Sequence, residues 1–354
     1  MSELARSLVP FSLQILPTMY RADVGLFCEA RDREGNQVGT SMRYTLMCLI
    51  GLRRAADAGI AVPFDLEELY DRAMARPAES ITDTALRLWV SSLFGRFEAG
   101  RELSVLLEQR IDNTPSDQRT GMHMGLALAA LVAFGEHGRD PDAAGRAGRI
   151  RDRVIAEHGR SESGLFFHTP GGTLRRTLPN FATQAYLMHG LARHTQWSGD
   201  ATGGDLAWGC AVALSELQRD DGGWPWIYRT SGGVVEDFEV YSVHQDGMAP
   251  MAFHVLVDIG KDAAPLVERG LSWLAGDNQL GINMVDRDRM LIYRSLRRPR
   301  PVDRIMLAVN TASASVSGRA PLHAVGSARL NTTCRPYHAG WILEAWAGRK
   351  TDAV

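Results

Sequence analysis

The stretch ALSELQRDDGGW, residues 213–224, decides how the chain reads. Leu214 and Leu217 share a helical face, so a helix should run through them and stop near Arg219. Gly222 and Gly223 open backbone angles denied to other residues, which suits a tight exit from that helix, and Trp224 can pack back on the hairpin so formed. The same arrangement, glycine with an aromatic or apolar stretch, then a polar turn, then a helix-like run, recurs from Gly25, Gly164, Gly222 and Leu280. Gly164, Gly223 and Gly281 lie 59 and 58 residues apart, enough for a pair of helices and their connections. A fixed period of this length marks a repeat architecture.

Outward from these turns, helical periodicity predicts helices over 41–57, 65–76, 82–97, 101–110, 119–135, 141–157, 178–195, 204–219, 238–257, 263–275, more weakly 303–316, and 333–347. About twelve helices make about six hairpins, one helix of each lining an inner ring and the other covering it. The expected fold is therefore all-α, an (α/α)6 toroid with short β-like aromatic turns such as GLFFHT and GWPWIY. One domain should span 1–354, with 1–24 as an N-terminal extension packing on it. Neither alternating strands and helices nor a glycine-rich phosphate loop supports a two-domain α/β protein.

Composition narrows the class. Lys+Arg 39 against Asp+Glu 41 gives a net charge of -2, which offers no broad attraction to nucleic acid or an anionic membrane. The basic run Arg294, Arg297, Arg298, Arg300 and Arg304 reads either as a solvated loop or as a rim that meets an anionic group. Four scattered cysteines make no disulfide framework. With neither a signal-peptide pattern nor an apolar run of membrane-spanning length, the expected compartment is the cytoplasm. The oligomeric state is left open.

QRDDGGW resembles the Q-x-x-D-G-G-W element of α/α toroids, known from squalene–hopene-type terpene cyclases and some polysaccharide lyases. RGLSWLAGDNQLG, residues 269–281, resembles the W-L-x-G-x-N-x-L-G segment of six-hairpin glycosidase-like proteins, with NTTCRPYHAGWILEAW, residues 331–346, returning to the rim. The first resemblance implies toroid architecture, with Gln218, Asp221 and Trp224 as scaffold; the second implies sugar chemistry, with Asn278 either tying down a turn or touching a sugar. CRPYHAGW has a distant similarity to the protein prenyltransferase β subunit, whose zinc site also needs an Asp-x-Cys element that this chain lacks. Cys334 and His338 alone fall short of the three or four ligands zinc normally takes, so no metal and no other cofactor is expected.

The chemistry should sit in EDFEVYSVHQDGMAP, residues 236–250. On a helix Asp237, Tyr241 and His244 would lie along one side and Glu239 and Asp246 along another, with Pro250 bending the chain just beyond. Asp246, Glu239 and Asp237 are the candidate acids and bases and His244 a candidate proton shuttle. The alternative is structural: Glu236 and Asp237 favouring a helix start, and Asp246 with His244 forming a buried pair. Residues at the other helix starts would converge on one mouth of the toroid: Arg43, Tyr44, Met122, His123, Asn180, Gln184, Tyr186, Arg335, Tyr337 and His338, joined by Trp226 and Tyr241. Aromatic faces for sugar rings and polar groups for hydroxyls are what a glycan cavity uses. The expected activity is that of a carbohydrate-active hydrolase, lyase or epimerase on a saccharide or glycoconjugate. An isoprenoid cyclase is the first alternative, against which stand the missing D-x-D-D motif and room for one toroid where triterpene cyclases have two α-domains. A non-catalytic glycan- or lipid-binding toroid is the second.

Overall fold

The computed structural model describes residues 3–137, 140–172, 174–299, 309 and 328–349. Its helices are α1 Glu3–Ile15, α2 Met42–Asp57, α3 Leu66–Met74, α4 Ile81–Leu93, α5 Phe97–Asn113, α6 Gly121–His137, α7 Ala143–His158, the single turn α8 Leu174–Thr177, α9 Phe181–Ser198, α10 Ala201–Leu217, α11 Ala249–Asp258, α12 Ala264–Ala275 and α13 Pro336–Trp346. Residue 309 apart, the expected stretch 303–316 lies outside the described residues, as do Arg300 and Arg304.

Composition sorts these helices into two layers. GMHMGLALAALVAFGEH of α6 is apolar around its whole circumference and buries an unbroken run from Met124 to Phe134. AAGRAGRIRDRVIAEH of α7 is amphipathic and buries one stripe, Ala143, Ala147, Ile150, Val154 and His158. An all-round apolar helix needs neighbours on every side, whereas a striped one covers a surface. Accordingly α2, α4, α6, α9, α11 and α13 pack each on the next, and α13 returns to α2 to close the ring. The outer helices α3, α5, α7, α10 and α12 cover α2, α4, α6, α9 and α11, and α1 covers α13. Where first and last inner helices meet, Gly51 and Gly340 let the backbones touch: a Cβ on Gly51 would lie 2.2 Å from the Gly340 carbonyl oxygen. The chain is thus an (α/α)6 toroid with small β turns.

The inner helices begin at one mouth. Ser41, Ser80 and Asn180 cap α2, α4 and α9, accepting from the backbone N–H groups of Tyr44, Asp83 and Thr183. Loops at this mouth carry short antiparallel pairs, Ile227–Tyr228 with Val234–Glu236, and a three-stranded patch of Val240–Tyr241, Ser295–Arg297 and Arg329–Asn331. The turn at 218–224 forms as expected: the Gln218 amide donates to the Gly222 carbonyl at 2.8 Å, and Asp221 Oδ1 accepts from the Gly223 N–H. Trp224 is wholly buried, stacked on Phe181 at 5.3 Å. Asn278 ties down its turn, donating to the carbonyls of Trp273 and Ile282 and accepting from the N–H groups of Leu280 and Ile282.

The helix expected over 238–257 starts later. Val240 and Tyr241 pair instead with Leu296 and Ser295, and the helix opens with a π turn, His244–Met248, before α11. Strand pairing with a segment some fifty residues away has no local signature. The helical side grouping Asp237, Tyr241 and His244 therefore does not form.

Candidate active site

A cavity of about 470 Å³ opens at the mouth where the inner helices start. Its wall takes Arg43, Tyr44 and Met47 from α2, Met122, His123 and Leu126 from α6, Tyr186 from α9 and Tyr337 from α13. Asn180, Trp226, Tyr241 and His244, also expected from the sequence, complete the same wall. His168, Arg175, Arg294, Thr82 and Thr120 line it too and were not among the expected site residues. His168 lies in the loop after α7 and Arg175 in the single turn α8, both between α7 and α9. Their only sequence signal was the aromatic run GLFFHT and a basic pair, neither of which says which way a loop side chain points. Arg294 belonged to the basic run read as loop or rim.

His244 is enclosed by rings: Trp226 stacks on it at 5.6 Å and 14°, with Phe181 at 4.7 Å and Tyr241 at 5.1 Å. Its Nδ1 is buried without a hydrogen-bond partner. Burial, aided by the charges of His338 and Arg294, pushes this imidazole down to about 3, so it is neutral at pH 7. Burial and Arg175 likewise push His168 down to about 4; its Nδ1 lies 2.7 Å from the Thr183 hydroxyl. His123 is lowered by burial, then by Arg43. Burial raises Tyr186, Tyr241 and Tyr337, so each keeps its phenolic proton. Arg43 is braced from behind: its Nε donates to Asp83 Oδ1 at 2.8 Å and one Nη to the Ser80 hydroxyl.

The remaining expected site residues stand off the wall. Glu239 sits one layer behind it, its carboxylate accepting from the Tyr241 hydroxyl at 3.0 Å, Asn331 Nδ2 at 3.0 Å and the Ser295 hydroxyl. Asp237 forms an ion pair with Arg219 at 3.2 Å. Asp246 is wholly buried and lies 2.6 Å from His338 Nε2. The buried partner expected for Asp246 was His244; on the π turn it is His338 instead. Gln184 is consumed by backbone, accepting from the Phe166 N–H and donating to the Phe166 carbonyl. Arg335 donates to the Tyr44 hydroxyl and the Glu29 carbonyl. Among the described residues, then, the cavity wall carries imidazoles, guanidinium groups and phenols, and neither Asp nor Glu. No cluster of three or more metal-ligating side chains occurs among them. No helix of the described residues is long and apolar enough to cross a membrane.

No family model matches the chain, and no curated protein matches it. Solved structures do match in fold. A cellobiose 2-epimerase from Bacillus thermoamylovorans superimposes with TM-score 0.69 at 12% identity, covering 99% of this chain and 100% of that one. A D-mannose isomerase gives 0.66 at 13% identity, over 98% and 96%. A possible member of the GH105 family from Klebsiella pneumoniae gives 0.62 at 12% identity, over 98% and 93%. At such identities the likeness establishes the (α/α)6 fold. It is a likeness to the six-hairpin, carbohydrate-active kind of toroid, and the expected link to terpene cyclases through QRDDGGW finds no support among these structures.

Proposed function

We propose that the protein is a sugar epimerase or isomerase, acting on a saccharide or the sugar end of a glycoconjugate by moving a proton at a carbon beside a carbonyl. The observation that carries this reading is the cavity wall itself, with His123, His168 and His244 on it and no carboxylate among its described residues. Glycoside hydrolysis ordinarily needs two carboxyl groups flanking the scissile bond, which this wall does not offer. Removing a proton next to a carbonyl needs an unprotonated base, a proton donor to the other face or to oxygen, and a positive group where the enediolate charge develops. Neutral His244 is the base in this reading, its ring orientation held by Trp226 and Phe181. In isomerisation the imidazolium so formed on His244 returns the proton to the adjacent carbon. In epimerisation His123 or His168, after taking a proton from solvent, delivers it to the other face while His244 releases its own to solvent. Arg43, braced by Asp83, faces the developing oxyanion. Tyr186 and Tyr337 hold their protons and donate to sugar hydroxyls, Tyr241, whose proton goes to Glu239, accepts from one, and Trp226 and Tyr44 give apolar faces for a ring. Glu239 orients Tyr241, and Asp246 fixes His338 beneath the floor. The names of the cellobiose 2-epimerase and the D-mannose isomerase that share the fold agree with this chemistry.

The test is solvent exchange. Aldoses, ketoses and reducing disaccharides incubated with the protein in D2O should exchange the proton on the carbon beside the carbonyl, followed by NMR. His244→Gln should slow exchange by roughly 10²–10⁴-fold with an unchanged circular dichroism spectrum. Release of new reducing ends from glycosides, with no exchange in any sugar, would replace this reading by a hydrolase.

A further inference from the structure

The charge on the cavity wall is one-sided. Its charged side chains among the described residues are Arg43, Arg175 and Arg294. Two carboxylates lie behind them and are engaged: Asp83 with Arg43 and Ser80, and Glu239 with three hydroxyl or amide donors. Arg175 and Arg294 are ion-paired to no described carboxylate. Arg294 is also fixed in place. Its backbone N–H donates to the Asn331 carbonyl and its own carbonyl accepts from the Ser242 N–H, while its guanidinium lies 5.3 Å from the Tyr241 ring centroid. Its buried Nε has no hydrogen-bond partner. The starts of α2, α4, α6, α9 and α13 face the same mouth, and their dipoles add positive potential.

We propose that the substrate is an acidic sugar, and that Arg294 with Arg175 at the rim holds its carboxylate or phosphate group. This rests on the sugar-epimerase reading and names the substrate class for that site. A guanidinium fork on a wall whose described residues include no carboxylate, with Glu239 behind it already taken up by three donors, suits a planar or tetrahedral oxyanion and gives a neutral hydroxyl no comparable advantage. The field of these arginines also reaches the imidazoles, since Arg175 lowers His168 and Arg294 lowers His244. Burial is the larger cause in both, so an anion docked on the arginines would offset only their smaller share of the lowering, which still couples recognition of the acid group to the imidazoles.

Binding separates this inference from the reaction. Calorimetric titration of the full chain compares D-glucuronate with D-glucose and D-glucose 6-phosphate with D-glucose. The acidic member of at least one pair should bind about 10–100-fold more tightly at low salt, and the preference should shrink as salt is raised. A preference confined to glucuronate assigns a carboxylate, and one confined to the phosphate ester assigns a phosphate. Arg294→Gln should erase most of the preference and Arg294→Lys part of it. Arg175→Gln, on the exposed rim, gives the same readout should position 294 prove intolerant. Equal binding of acidic and neutral sugars, or a preference intact in both glutamine variants, overturns the inference. Acid preference without solvent exchange would keep it and remove the epimerase reading. Exchange on neutral sugars without acid preference would do the reverse.

Discussion

Asp246 shows how a single side chain's role turns on backbone geometry. Proline at 250 has no N–H, so the carbonyl of residue 246 loses the helical donor it would otherwise accept. The chain meets this with the π turn at 244–248, and the indole N–H of Trp346 donates to the freed Asp246 carbonyl at 2.6 Å. The side chain then reaches His338 in a site where burial raises its pKa and the His338 charge opposes the rise. Asp246→Asn should therefore lower the urea midpoint by an amount corresponding to about 1–3 kcal/mol and leave turnover per folded molecule within roughly tenfold. A 10²–10⁴-fold loss of turnover at an unchanged midpoint would move Asp246 into the chemistry. A second residue-scale expectation concerns acid. His158 and His168 are pushed down to about 4, and His244 and His254 to about 3, in each case chiefly by burial. Between pH 6.5 and 4 the unfolded chain binds protons that the folded chain refuses, so stability is full above about 6.5 and declines as pH falls. His158, off the cavity and bonded to the Phe167 carbonyl, isolates the effect. His158→Gln should flatten the decline by up to about 3 kcal/mol in urea titrations at pH 7 and 4.5; an unchanged slope would remove His158 from the cause.

At the scale of elements, local and non-local signals divide cleanly. Inner-helix starts were legible because caps and polar first turns are local: Arg43, Tyr44, His123, Asn180, Tyr186 and Tyr337 were all placed on one mouth from helix position alone, and all line the cavity. Gln184, Arg335 and His338 had the same positional credentials, yet bond to backbone or to buried partners, because helix position does not specify rotation toward the ring centre. The helix expected over 238–257 begins only at 242, because Val240 and Tyr241 form a strand against Leu296 and Ser295. Helix α1 has no place among the expected helices, since Pro10 reads as a helix breaker inside an otherwise striped segment, whereas the 218–224 turn is self-contained and forms as expected. That turn supports a direct test. Gly222 has φ +84°, and a Cβ there would lie 1.9 Å from the Arg269 carbonyl oxygen, which is backbone and cannot rotate away. Gly222→Ala should cost on the order of 2–4 kcal/mol, and Trp224→Ala about 3–5 kcal/mol. Both should act on the melting temperature with ligand binding per folded molecule retained. Loss of sugar binding at a wild-type melting temperature in Trp224→Ala would transfer that tryptophan from the scaffold to the site.

At the scale of the molecule, a closed ring has no terminal repeat to cap, so each inner helix needs an outer one. Helix α13 gets its cover from the other end of the chain: α1 lies on it, burying Leu8, Phe11 and Ile15. We propose on this ground that residues 3–15 are the sixth outer helix of the toroid and not an appendage. The consequence reaches the cavity, because α13 carries Tyr337 on the wall and His338 beneath it. Losing the α1 cover would expose the outer face of α13 and loosen its seam with α2 at Gly51 and Gly340. Three large apolar side chains at roughly 2–5 kcal/mol each approach the whole stability of an ordinary domain. A chain beginning after residue 15 is accordingly expected to be unfolded or insoluble. The milder variant Phe11→Ala should lose about 3–5 kcal/mol in a single cooperative transition, reported at the same urea concentration by far-ultraviolet dichroism and tryptophan fluorescence. Coincident transitions would mean that α1 and the ring unfold together. A truncated chain that folded with the wild-type midpoint, or a Phe11→Ala transition split so that α1 melted first and the ring later, would make α1 an extension and leave α13 stable without it.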